Sequence, residues 1–128
     1  MTDKELAEEY NINLYFFDSD LWDRDGIYIK SLNTMFVSNA LSDKEAHQVI
    51  LHECGHKEHL PSLYKIAQLR CENEANRHMI HHLIKESLKE LDDIRDFNYV
   101  TFMNYYNLKT VTDEIMIKEE LQNLINNR

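Results

Sequence analysis

Apolar positions recur along this chain with two different periods, and these divide it into elements. From residue 42 the period is helical. Ala46, Val49 and Ile50 form a stripe at i, i+3, i+4 spacing that runs on towards Glu53 and His56. Ser42 and Glu45 have the spacing of a capping box, which predicts a helix over about 42–58 that starts at Ser42. A second helix is predicted over 64–90, where Ala75, Met79, Ile80 and Leu83 share one face. Two more are predicted, over Asp96–Asn107 and Thr112–Asn126, the last burying Ile117, Leu121, Leu124 and Ile125. Before residue 42 the signals are shorter. Residues 3–10 read as a helix anchored by Leu6, and Leu14 to Phe17 as a short strand. Residues 27–30 and 34–38 read as a β-hairpin turned at Ser31-Leu32-Asn33. The acidic stretch from Asp18 to Asp25 lacks the glycine and glutamate spacing of an EF-hand, so a solvated loop is expected and not a calcium site.

Composition limits the possible classes. A chain of 128 residues with 43% hydrophobic content can fill one core, and two Gly with one Pro agree with long helices and little linker. One domain is expected over 1–128, with a core at 5–84 and C-terminal helices over 96–126. The net charge of −9 argues against DNA or an anionic membrane as a direct partner. No apolar run approaches 18 residues, so no membrane-spanning helix is expected. The polar N-terminus does not read as a signal peptide, and the expected location is the cytoplasm. Cys54 and Cys71 do not form a disulfide framework. They read as small buried residues, the alternative being a redox-sensitive thiol beside a metal.

The sharpest chemical signal is His52-Glu53-Cys54-Gly55-His56. On a helix, residues four apart share a face, so both imidazoles can reach one metal ion. Glu53 is then placed to take a proton from a water on that metal without competing for a ligand position. Two histidines on zinc and a glutamate as general base are what a metalloprotease requires. The alternative is a surface helix bearing two solvated histidines, but here the motif face continues the apolar face. Gly55 within a helix costs about 1 kcal/mol against Ala. Close approach of another backbone would account for it.

A catalytic zinc site usually has a third protein ligand and an open position for water. His59 is only three residues past His56, too near to fold back as a ligand, and is expected to cap or fray the helix end. Glu72 is the better candidate, sharing a face with Asn76, Ala75 and Met79. A carboxylate at the edge of an apolar face needs a partner, and zinc is one. Glu74 points elsewhere and is expected to be solvated. The carbonyl of Asn76, one turn after Glu72, would accept the outer ring N–H of His52 or His56 and so orient that ligand. His78 and His82 are also four apart, which would allow a second metal site, but no acid nearby could serve as base, so a structural or solvated role is expected for the cluster at 78, 81 and 82.

These residues carry a resemblance. His52-Glu53-Cys54-Gly55-His56 followed by Glu72-x-x-Ala75-Asn76 resembles the ImmA/IrrE family of zinc metallopeptidases. So do the segments Gly26-Ile27-Tyr28-Ile29 and Thr34 to Asn39 ahead of Ser42. The resemblance covers roughly residues 5–84. After the Ala-Asn segment this chain has Arg77-His78-Met79-Ile80-His81-His82 in place of the family's usual continuation. The resemblance implies an α+β, zincin-like fold, mostly helical, with a small antiparallel sheet beside the motif helix. It implies Zn2+ bound by His52, His56 and Glu72 in gluzincin-like fashion, with Glu53 as catalytic base.

Tyr64, His78 and His82 are candidates for steadying the oxyanion. The strand at 34–38 is expected to form the sheet edge beside the cleft, where an extended substrate would pair. The resemblance further implies limited cleavage of a protein substrate, a helix-turn-helix transcriptional repressor of a phage or mobile element. The alternative is a non-proteolytic antirepressor or binding module with a structural metal.

Overall fold

The computed structural model describes residues 2–59 and 66–126. They fall into two compact units, Met1–Met79 and Ile80–Arg128. The fold is α+β, with five helices and a small mixed sheet among the described residues.

The first unit opens with α1, Asp3–Glu9, capped by the Thr2 side chain and buried through Leu6 and Ala7. Strand β1, Asn13–Phe17, follows. Strands β2, Gly26–Ile29, and β3, Thr34–Ser38, make the antiparallel hairpin that the alternation predicts. Its turn is a 3-10 segment, Lys30–Leu32, closed by Asn33 in the left-handed region at φ 45°. Asparagine tolerates that conformation better than most residues. The sheet order is β1-β3-β2, and β1 pairs with β3 in parallel. This corrects two expectations. The sheet is mixed, not antiparallel, because the chain makes a crossover between β1 and β3. Strand β3 is central and bonded on both sides, so it cannot be the edge beside a cleft; the edges are β1 and β2.

Helix α2, Asp43–Cys54, begins with the complete capping box: Ser42 Oγ accepts the Glu45 N–H and Glu45 Oε1 accepts the Ser42 N–H. It buries Ala46, Ile50, Leu51 and Cys54. The helix ends earlier than its apolar stripe suggests. Gly55 is the C-cap, and the N–H groups of His56, Lys57 and His59 donate three residues back in a tighter winding. Helix α3 runs Gln68–Lys89; residues 64 and 65 of the expected span lie outside the described residues. Its residues up to 79 belong to the first unit, where Cys71, Ala75 and Met79 are buried.

In the second unit the end of α3 buries Ile80, Leu83, Ile84 and Leu88. Helix α4, Tyr99–Tyr105, is capped by Asn98 and shorter than expected, and α5 covers Val111–Asn126. On α5 the inward residues are Met116, Ile117 and Glu120, whereas Ile125 is exposed, a correction to the expected apolar face. Glu120 lies 3.1 Å from His81 Nδ1.

Candidate functional site

Helix α2 carries His52 and Glu53, the tight winding after its C-cap carries His56, and one close contact places Glu72 against them. The backbone at Gly55 meets the backbone at Ala75: a Cβ on residue 55 would stand 2.7 Å from Ala75 Cα and 3.1 Å from its carbonyl oxygen. With α2 and α3 this close, Glu72, three residues before Ala75, faces both histidines. Its Oε2 lies 3.1 Å from His52 Nε2 and its Oε1 3.2 Å from His56 Nε2. The two Nε2 atoms are 3.3 Å apart. Among the described residues these three form the one group of His, Cys, Asp or Glu whose ligand atoms converge, all within 4.8 Å of one another. They lie close enough to bind a metal ion. Two imidazole nitrogens and a carboxylate match the donor set of an open four-coordinate site.

Asn76 sits behind this group, with Oδ1 2.8 Å from His52 Nδ1. The amide oxygen accepts the Nδ1–H, which leaves the lone pair on Nε2, the atom facing Glu72. Burial pushes the His56 imidazole below its usual pKa, and the adjacent Glu72 opposes that shift. Neutral imidazole is the metal-binding form.

Glu53 lines the same cleft as His56 and Glu72, and its carboxylate reaches β2. The backbone N–H of Tyr28 donates to its Oε2 at 3.3 Å. Tyr28 therefore turns its N–H away from β3, so this edge of β2 borders the site. Another tight contact seats β2 there: a Cβ on Gly26 would stand 2.6 Å from Val49 Cγ1 on α2. Burial raises the Glu53 carboxyl above its usual pKa, partly offset by His52 and the Tyr28 N–H. A cleft of about 360 Å³ opens over these groups, lined by Arg24, Tyr28, Lys30, Glu53, His56 and Glu72 among others.

Other predicted residues lie elsewhere. His78 Nε2 is engaged with the Tyr10 hydroxyl at 2.9 Å and is not among the residues that line the cleft, and His82 belongs to the second unit. Tyr64 lies outside the described residues. His59 does not fray. Its ring joins His56 to Glu74, with Nδ1 3.0 Å from His56 Nδ1 and Nε2 2.8 Å from Glu74 Oε2. Glu74, expected to be solvated, is half-exposed and also accepts from Arg70 Nε at 3.1 Å. Cys54 and Cys71 are free and buried, and burial pushes the Cys54 thiol up to about 12.

Compared with known proteins, residues 7–118 match the Peptidase_M78 family model, described as an IrrE N-terminal-like domain. The comparisons with curated proteins and with solved structures give no match. No described helix is long and apolar enough to cross a membrane.

Proposed function

Since this chain belongs to the ImmA/IrrE metallopeptidases, the M78 peptidase family with its IrrE N-terminal-like domain, we propose that it is a zinc-dependent endopeptidase making limited cuts in a regulatory protein. The observation that carries the reading is the convergence of His52, His56 and Glu72 beside Glu53 in an open cleft. The family match crosses both compact units, which supports treating 1–128 as one peptidase domain.

In this reading His52, His56 and Glu72 hold the metal in gluzincin-like fashion. When bound, zinc supplies Lewis acidity towards a water and a peptide carbonyl. The remaining work falls to the chain's own groups. Glu53 accepts a proton from the water as its oxygen adds to the carbonyl carbon. It then delivers that proton to the amine nitrogen as the C–N bond breaks. Tyr28 N–H holds one carboxylate oxygen of Glu53 and keeps the base directed at the cleft. Asn76 fixes the His52 tautomer. An extended segment of substrate pairs with the outer edge of β2, the strand that carries Tyr28.

The substrate proposed is a helix-turn-helix repressor of a phage or mobile element, met in the cytoplasm. Two features support it: the family resemblance, and a net charge of −9 that suits a basic DNA-binding partner. The test is incubation of zinc-replete protein with the repressor of the same element. Discrete cuts are expected, abolished by chelator and by Glu53→Gln. Tight binding without cleavage would instead identify a sequestering antirepressor with a structural metal.

A further inference from the structure

Each histidine of the metal group has an outer nitrogen, and the two are engaged differently. His52 Nδ1 meets an amide oxygen on Asn76. His56 Nδ1 meets a second imidazole, His59, and that ring meets the Glu74 carboxylate. We propose that His59 and Glu74 form a positioning relay for His56, setting its tautomer and aim and thereby the metal affinity of the site. The inference rests on the metal-centre reading above.

Donor and acceptor roles along the relay follow from its ends. A histidine that binds metal through Nε2 carries its proton on Nδ1. His56 Nδ1–H then donates to His59 Nδ1, 3.0 Å away, which must present a lone pair. His59 therefore carries its proton on Nε2, and that N–H donates to Glu74 Oε2 at 2.8 Å. Glu74 Oε1 accepts from Arg70 Nε–H at 3.1 Å. Every group has one consistent role, and no pair places two donors or two acceptors face to face. The His59 side chain is 11% exposed, so little water competes for its ring.

Helical geometry explains the span. His59 lies in the tight winding after α2, three residues past His56, and its N–H donates to the His56 carbonyl. Glu74 and Arg70 are four apart on α3, so Arg70 braces the carboxylate from its own helix. The relay thus connects the two elements that supply the metal ligands, at the opposite side of His56 from Glu72. Outer partners of this type hold the ring orientation and raise ligand basicity. Their loss typically weakens metal binding by about 10–100-fold.

The test uses the full chain, with zinc affinity from chelator competition, the visible spectrum of the cobalt-substituted protein, and thermal melting in excess chelator. His59→Ala and Glu74→Ala are each expected to lower zinc affinity about 10-fold or more. Both should shift the cobalt bands, and neither should move the metal-free melting temperature appreciably. His59→Gln, whose carbonyl can accept from His56 Nδ1–H, is expected to restore most of the affinity. Affinity and cobalt spectrum unchanged in both variants would overturn the relay. So would an affinity loss that merely follows a lower metal-free melting temperature. Failure of the unaltered protein to bind zinc would instead overturn the metal-centre reading itself.

Discussion

Gly55 and Ala75 meet backbone to backbone, and this contact sets how closely α2 and α3 approach where His52, His56 and Glu72 converge. Gly55 has ordinary right-handed helical geometry at φ −65°, so the glycine is required for space and not for conformation. A methyl group at 55 would meet main-chain atoms of Ala75, which cannot turn aside as a side chain can.

Gly55→Ala therefore gains helix propensity but forces α2 and α3 apart. Overpacking of this type costs about 1–3 kcal/mol, and at a C-cap propensity returns less than the roughly 1 kcal/mol of a helix interior. The expected outcome is net destabilisation in chemical denaturation with chelator present, together with weaker zinc binding as Glu72 is drawn away from the histidines. A variant more stable than the parent would show that the interface yields.

Metal-replete protein should contain about one zinc per chain by elemental analysis. His52→Ala and Glu72→Ala should each lower the affinity at least tenfold. Binding should weaken on acidification, because the imidazoles and carboxylate bind only when deprotonated. Undiminished zinc in Glu72→Ala would remove Glu72 from the ligand set.

Asn76→Ala takes away the acceptor 2.8 Å from His52 Nδ1 and frees the ring to turn or change tautomer. Zinc affinity is expected to fall about 10–100-fold. Asn76→Asp retains an acceptor oxygen and should stay near the parent value. Equal affinities in Asn76→Ala and the parent would sink the assignment.

Ser42→Ala removes the N-cap of the motif helix and should cost about 1 kcal/mol in denaturant unfolding at neutral pH. The pH dependence has a definite sign. The bonds from Ser42 hold the Glu45 carboxyl below its usual pKa. That contribution is complete above the ordinary carboxylate range and is lost as the pH falls through the lowered folded value. The gap between variant and parent should therefore narrow on acidification. A gap that widens at low pH would contradict it.

Cys54 and Cys71 are 5% and 1% exposed, so neither thiol should react readily with iodoacetamide in the native protein at neutral pH. Both should react at once in denaturant. Fast native labelling of either would revive a redox-sensitive role.

What could be read from the sequence was what is local or what carries an energetic anomaly. The capping box at Ser42 and Glu45 lies within one turn and was legible directly. Glu72 stood out as a carboxylate on an apolar helix face, and Gly55 as a helix residue whose cost needed a neighbouring backbone. His59 and Glu74 gave no such signal, because their partnership depends on how two helices meet. The parallel pairing of β1 with β3 was equally hidden, since alternation along a strand specifies a face and not a direction. The Tyr28 N–H was missed because main-chain groups leave no mark on residue type.

That main-chain donor gives the hairpin turn a role far from its own position. Strand faces alternate with each residue, so sliding β2 by one step along β3 would turn the Tyr28 N–H inward and strip the donor from Glu53. The register is held at Asn33, whose side chain accepts from the Tyr28 hydroxyl at 2.8 Å and donates to the Asn11 carbonyl at 2.7 Å. The turn thus acts as the alignment key for the donor that meets Glu53. Lengthening it by a single residue is expected to leave the core folded and still take the Tyr28 N–H from Glu53.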